Sequence, residues 1–273
     1  MIINGKNIAD RILTDMRNKI VGRNFCVTAI IIGDDPSLVK FINLKQKAAE
    51  AVGVKFKCIS LAKNASQNEI EKIIDDLNLD ESVHGIFVEL PLSKHLDTRK
   101  VLNKIYASKD IDLLSDTSKT NADENINGLM SPTVFAIDEI LKEFNINLLN
   151  KSVAIFGMGE LVGQPVAVWF RKNGCEVFEI DEFTKNPETL SRKADIIVSG
   201  VGQPELISKD MVKEGVIIFD FGYGVKDGKI RGDVCDDVSE KASLMTPVPN
   251  GVGPLVIAAI FNNLLLLNES SLI

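Results

Sequence analysis

The chain is poor in residues that hold metals or form cross-links, with two histidines and four cysteines among 273 residues. His84 and His95 match no metal-ligand spacing and are read as structural or surface residues, so no metal is expected. Cys26, Cys58, Cys175 and Cys235 lie far apart with no CxxC pair, and all four are expected to be reduced core thiols. Basic residues are also in deficit: 31 Lys and Arg stand against 38 Asp and Glu, a net charge of −7. Binding a phosphate backbone needs clustered cations, so a nucleic-acid partner is excluded and a small molecule is expected. Long uninterrupted apolar runs are missing as well. Charges recur every few residues through 1–16, and the late apolar stretch 255–267 is broken by Asn262 and Asn263 and is too short to span a bilayer. Neither a signal peptide nor a membrane segment is expected, which points to a cytoplasmic protein. No internal repeat or low-complexity segment occurs.

What is present is ordinary globular material, 45% hydrophobic and 25% charged. A chain this long exceeds the usual domain of about 100–150 residues, so two domains are expected, with the cleft between them as the default site. Short apolar runs alternate with amphipathic stretches, the pattern of βα units in a mostly parallel sheet. In the first half, strands are predicted at 27–32, 55–61 and 85–90, with helices at 38–51 and 67–79. The second helix is opened by Ser66, with Glu69 three residues on, a capping box. The polar stretch 115–127 has neither periodicity and reads as an exposed loop. A helix over 133–144 leads into a second α/β series at 153–157, 161–172, 177–180, 196–200 and 216–220. Lys226-Asp-Gly-Lys229 signals a hairpin turn, and a closing helix is predicted over 256–267. The domain boundary is placed near 140–150.

The most informative local feature of the second half is Val153-Ala-Ile-Phe-Gly157-Met-Gly159-Glu-Leu-Val-Gly163, a buried strand running through glycines into an amphipathic helix. Glycines there let the backbone turn tightly and approach a pyrophosphate, which sits on the N–H groups of the helix N-terminus. The spacing, G-x-G-x-x-x-G, is one residue longer than the commoner fingerprint, and a ligand-free glycine turn is the bland alternative. Asp181 ends the next strand at about the separation where an acid accepts from an adenosine ribose; a solvated loop acid is the alternative. The glycine turns Gly200-Val201-Gly202 and Gly222-Tyr223-Gly224 follow later strands and are expected to border the same cofactor.

Several segments together resemble the bifunctional methylenetetrahydrofolate dehydrogenase/cyclohydrolase family over essentially the whole chain. The most specific is Thr246-Pro-Val-Pro-Asn-Gly-Val-Gly-Pro254, similar to the family's TPVPGGVGP with Asn250 at one glycine. Gly85-Ile-Phe-Val-Glu-Leu-Pro-Leu92, Lys109-Asp-Ile-Asp112, Ala194-Asp-Ile-Ile197 and Gly232-Asp-Val234 resemble GILVQLPLP, KDVDG, ADIVI and GDV. The resemblance implies an N-terminal α/β folate-site domain over 1–142 and a Rossmann-type doubly wound domain over 143–253. The final helix, about 254–273, would return to the first domain. It also implies a homodimer. The implied reactions are hydride transfer from 5,10-methylenetetrahydrofolate to NAD or NADP, then hydrolysis of the methenyl product to 10-formyltetrahydrofolate.

Residue by residue, the resemblance makes Lys45, Glu89 and Asp112 the catalytic candidates. Phe41, Leu90, Pro91, Pro249, Gly251, Gly253 and Pro254 would line the folate. Gly157, Met158, Gly159, Leu161, Val162, Gly163, Asp181, Gly200, Val201, Tyr223 and Thr246 would line the dinucleotide. The family's YVxxK corresponds to Phe41-Ile-Asn-Leu-Lys45, an i, i+4 pair on one helix face that keeps a stacking ring and loses the tyrosine hydroxyl. Without the family, Lys45 reads as a solvated charge. Glu89 stands at a glutamine position. A carboxylate there favours the ammonium form of Lys45 and weakens it as a general base, making cyclohydrolysis the weaker activity; Glu89 itself can take protons, and a structural strand-end acid is the alternative. Leu113 replaces a glycine, so a different local turn is expected, and the family's PCTP survives only as Thr133. The family's Arg and Ser for a 2′-phosphate are Met158 and Gly159 here, and Asp181 with Glu182 would repel that phosphate, so NAD is favoured, with Lys185 as the opposing cation. Two rival readings stay open: a folate- or dinucleotide-binding relative without chemistry, and a Rossmann oxidoreductase for another substrate.

Overall fold

A helix, α1 (Gly5–Ile20), leads into the first sheet and buries Met16 and Ile20 against it. The computed structural model describes residues 1–269. β1 (Cys26–Ile32) is buried along its whole length, as expected of a central parallel strand covered on both faces. Val27, Ala29 and Ile31 pack with Leu38, Ile42 and Ala49, and Ile30 and Ile32 pack with Ile70 and Ile74. α2 (Pro36–Val52) starts where the Asp35 carboxylate accepts from Ser37 N, and ends at Gly53 with φ 81°. It is followed by β2 (Lys55–Leu61), α3 (Gln67–Leu79), β3 (Gly85–Val88), α4 (Thr98–Asn103) and α5 (Asp116–Asp123). The predicted cap is present: Ser66 Oγ accepts from Glu69 N. The three strands are parallel in the order β2-β1-β3.

The second series comprises α6 (Pro132–Glu143), β4 (Ser152–Phe156), α7 (Gly163–Lys172), β5 (Glu176–Ile180), α8 (Pro187–Ser191), β6 (Ile196–Ser199), β7 (Ile217–Asp220), β8 (Gly224–Lys226), β9 (Lys229–Arg231) and β10 (Leu244–Met245). Its five-stranded sheet runs β10-β7-β6-β4-β5, all parallel, and β8 and β9 form the expected hairpin. The strand order changes direction between β4 and β6, the switch point where open α/β sheets take ligands.

The closing helix is α9 (Gly253–Glu269). Its Ile260, Phe261, Leu264 and Leu265 enter the core that contains Val27, Ala29, Ile31 and Phe87. Asn263 is tolerated there because its Nδ2 donates to the carbonyls of Ile111 and Met130, both at 3.2 Å. Residues 270–273 of the expected helix lie outside the described residues.

Three expectations need correction. The described residues divide into Asp10–Pro132 with 257–269, and Met1–Ala9 with Thr133–Val256. α6 therefore clusters with the second series, not the first, and the N-terminus joins that series by pairing Ile2 with Met245 beside β10. The stretch 115–127 holds α5, because Ser115 caps Ser118 N while Asp116 is gripped by Arg99 and Asn103. Cys58 is exposed and Cys235 half-buried, although all four thiols are free. β2 is an edge strand with Lys55, Lys57, Cys58 and Ser60 open to solvent, so an apolar run did not mean a buried one.

Leu113, which stands at the family's glycine, has φ 55°, the left-handed region that favours glycine, and is 1% exposed. Burial of the leucine holds a backbone that costs an L-residue roughly 1–2 kcal/mol. Glycine in place of alanine ordinarily destabilises by about 0.5–1 kcal/mol. At this position Leu113→Gly should be no less stable than Leu113→Ala, both losing about 2–5 kcal/mol for the cavity. Urea unfolding of the two variants checks this; a glycine variant weaker by a full 1 kcal/mol means the turn is unstrained.

Candidate active site

Lys45 and Phe41 lie one turn apart on α2, and Glu89 directly follows β3, its N–H bonded to Ile30 O at 2.9 Å. This brings Lys45 Nζ to 2.8 Å from Glu89 Oε2, 3.7 Å from Asp112 Oδ2 and 4.2 Å from the Phe87 ring centroid. Lys45 is 8% exposed and Glu89 7%, so Lys45 is not the solvated charge of the bland reading. Burial pushes the Glu89 carboxyl above its ordinary range, the Lys45 charge and hydrogen bond draw it down, and Asp112 pushes it up again. An ion pair so desolvated persists only because each charge has the other. Leu90 and Pro91, joined by a cis peptide, continue from Glu89.

Asp112 is presented by a turn organised by Asp110, which the sequence reasoning did not single out. Asp110, 1% exposed, accepts from Ser115 N at 2.8 Å and Leu114 N at 3.3 Å. Burial raises its pKa, opposed by the hydrogen bonds from Ser115, Ser118 and Leu114. Lys109 Nζ donates to the carbonyls of Leu77 and Asp80, tying the same segment to the end of α3. Of the two histidines, His84 accepts from Cys26 N and His95 contacts Ala65 O, both structural roles.

In the other unit the glycine loop joins β4 to α7. Gly157 has φ 85°, and a Cβ placed on Gly163 would lie 2.1 Å from Gly157 O, so the strand-to-helix turn admits no side chain there. A Cβ on Gly200 would lie 2.7 Å from the Val162 side chain, and one on Gly157 3.1 Å from Val201, so the loops after β4 and β6 touch at the switch point. Thr133 helps hold the first loop by donating to Leu161 O at 3.0 Å. No side chain caps α7, and a Cβ on Gly159 would meet nothing within 4 Å. An open, uncapped, glycine-lined helix start fits the pyrophosphate of a dinucleotide. Asp181, just beyond β5, is exposed; its Oδ1 accepts from Thr184 Oγ1 and Phe183 N, and the Thr184 hydrogen bond leads in lowering its pKa. Tyr223 has its carbonyl 3.7 Å from a Cβ placed on Gly202. Thr246 is fully buried: its hydroxyl accepts from Asp220 N and donates to Ile218 O, so it supports β7. In the Thr246–Pro254 segment Asn250 takes φ 73°, the glycine-like conformation an asparagine tolerates, and Val248-Pro249 is cis. A Cβ on Gly251 would lie 2.3 Å from Pro247 O, one on Gly253 would meet nothing within 4 Å, and Pro254 is in the first turn of α9.

Two further buried acids lie behind these loops. Asp220 ends β7 and accepts from Gly222 N, Asp233 N and Val234 N at 2.8, 3.1 and 3.0 Å. Asp233, fully buried, accepts on Oδ2 from Ser199 Oγ, Val201 N and Gly202 N at 2.7, 2.8 and 3.2 Å. In the sequence Gly232-Asp233-Val234 stands out only as a family string; the signal for these acids is one carboxylate between Gly232 and Val234 and another closing the apolar run Ile217–Asp220.

A doubly wound unit with a glycine-lined turn at its switch point, paired with a second α/β unit holding a buried Lys–carboxylate cluster, defines a two-unit dinucleotide-binding protein. The chain belongs to the tetrahydrofolate dehydrogenase/cyclohydrolase family, matching its catalytic domain over residues 3–112 and its NAD(P)-binding domain over 131–272. A relative from Macrococcus caseolyticus, bifunctional protein FolD, is 40% identical over 241 residues, 88% of this chain and 86% of the relative. The bifunctional enzyme FolD from Campylobacter jejuni has a solved structure that matches with TM-score 0.94 and 34% identity over 100% of this chain and 99% of that one. The Trypanosoma brucei enzyme, complexed with NADP cofactor and inhibitor, matches with TM-score 0.93 and 29% identity over 99% of this chain and 98% of that one.

Asp220 generates a pH prediction. Burial chiefly, with the charge of Asp233 adding, raises its pKa from 3.8 to about 6 against its three backbone hydrogen bonds. A folded pKa above the unfolded one means the folded state binds the extra proton, so this stability is present below pH 4 and is lost as pH rises through about 6. The loss is on the order of 3 kcal/mol at most. Asp220→Asn should flatten the wild-type-minus-variant difference in Tm above pH 6.5 and make it change most between pH 4 and 6; a pH-independent difference contradicts this.

Proposed function

We propose that this chain oxidises 5,10-methylenetetrahydrofolate to the 5,10-methenyl form with a nicotinamide dinucleotide, and hydrolyses that product to 10-formyltetrahydrofolate, within one-carbon metabolism. The Lys45–Glu89–Asp112 cluster carries the reading. The replacements at 41, 89 and 113, which favour a binding-only relative, leave that cluster paired and the Leu113 backbone in the glycine conformation.

When bound, the dinucleotide supplies the hydride acceptor. The residues of this chain bind and orient the folate and handle protons. Asp112 accepts from adjacent N–H donors of the pterin, Phe41 offers a ring to stack against it, and Leu90 and Pro91 complete the folate contacts of this unit. Methenyl hydrolysis adds water to the bridging carbon of the cation and breaks the carbon–N5 bond; one of the water's two protons ends on N5 and the other is released as the oxygen becomes the formyl carbonyl. Glu89, its pKa raised by burial, suits the proton removed from water, and the Lys45 ammonium suits hydrogen bonding to the departing nitrogen. Gly157–Gly163, Gly200, Val201 and Tyr223 hold the dinucleotide, with Thr246 acting from behind through β7. NAD is the preferred form: Met158 and Gly159 offer no cation to a 2′-phosphate, and Asp181 stays ionised to accept from a ribose hydroxyl.

Glu89→Gln should lower methenyl hydrolysis by about a hundredfold or more. In the wild type, hydrolysis should rise as pH passes upward through the raised Glu89 pKa. Because Lys45→Met strands a buried carboxylate, Lys45→Met/Glu89→Gln, which removes both charges, is measured beside it for Tm and hydrolysis. Unchanged or faster hydrolysis in Glu89→Gln returns the base role to Lys45. Independently, kcat/KM at fixed methylenetetrahydrofolate should be several-fold higher for NAD+ than for NADP+. A higher value for NADP+ points to Lys185 as the phosphate partner.

A further inference from the structure

Three donors converge on one oxygen of Asp233: the Ser199 hydroxyl at the end of β6 and the Val201 and Gly202 N–H groups of the loop beyond it. A neutral amide oxygen has two lone pairs and no charge, whereas an ionised carboxylate accepts all three in charge-assisted bonds. The other oxygen, Oδ1, is buried with no hydrogen-bond partner. It abuts Gly222 so closely that a Cβ there would lie 2.2 Å from it. Asparagine at 233 would place an uncharged amide there, with its N–H group either in the spot where Oδ1 has no partner or facing the loop donors.

Asp233 is itself held from behind. Asp220 accepts from the Asp233 and Val234 backbone, and a Cβ on Gly232 would lie 2.1 Å from Asp220 Oδ2. The chain between the two acids is the β8–β9 hairpin, so residues 232–234 are fixed to the end of β7 at one side and clamp the loop after β6 at the other. That loop touches the β4–α7 turn through Gly157, Val162 and Val201.

We propose that Asp233 is a positioning residue for dinucleotide binding: its buried carboxylate sets the backbone of Val201 and Gly202 at the switch point before any ligand arrives. The inference rests on the dinucleotide reading above but is tested separately from it. In the unliganded wild type, the Val201 and Gly202 amides should exchange with solvent deuterium at least about a hundredfold more slowly than unstructured amides. Rapid exchange there overturns the proposal whatever the protein binds. In Asp233→Asn, the KM and Kd for NAD+ should rise on the order of tenfold, the KM for methylenetetrahydrofolate should stay within about twofold, and both amides should exchange faster. Ser199→Ala, which removes one donor and keeps the charge, should shift NAD+ affinity in the same direction by less. An Asp233→Asn protein with a lowered Tm but unchanged NAD+ affinity, or with equal losses for both substrates, overturns the positioning role. Failure of wild-type protein to bind NAD+ or NADP+ at all would sink the dehydrogenase reading while leaving the exchange result standing.

Discussion

A carboxylate taken out of water must find donors, and in this chain the donors are mostly backbone N–H groups of the turns that carry the site. Asp110 collects those of Leu114 and Ser115 and thereby shapes the turn that presents Asp112. Asp220 collects those of Gly222, Asp233 and Val234, and Asp233 those of Val201 and Gly202. Glu89 differs: its partner is the Lys45 ammonium, a side chain with its own chemistry. Three buried acids therefore act as scaffolding for loops, and one faces the ammonium of Lys45. The same desolvation that makes the first group rigid raises the proton affinity of the last.

A left-handed backbone can be held by residues other than glycine. Leu113 and Asn250 both stand where the family resemblance expects glycine, and both have positive φ. Asparagine does so at little cost, since its short polar side chain tolerates the left-handed region. Leucine does so only because complete burial of its side chain offsets the strain. The turn that follows Asp112 is thus held by hydrophobic packing and not by conformational freedom.

Local signals carried much of the fold. The central strands, the Ser66 cap and the Lys226–Lys229 hairpin turn follow from periodicity and turn chemistry acting over a few residues, and the structure has them. α5 escaped that reading because it is polar and only eight residues long, and it depends on Arg99 and Asn103 from elsewhere in the chain. Cys58 was misjudged because the same apolar run is buried in a central strand and half-open at an edge, and strand order is not a local property. The unit boundary at Thr133 likewise reflects which contacts α6 makes.

By itself, the sequence determined the α/β alternation, the glycine turn from β4 into α7 and the family strings that single out Lys45, Glu89 and Asp112. Each is written in contiguous residues whose propensity or spacing acts locally. Tertiary structure alone decided that Lys45 is buried and paired, that Thr246 supports β7, and that Asp110, Asp220 and Asp233 hold the loops. Those facts depend on partners up to tens of residues away, and on how fully packing excludes water from a charge. Desolvation is a property of the folded surroundings, so no spacing along the chain records it.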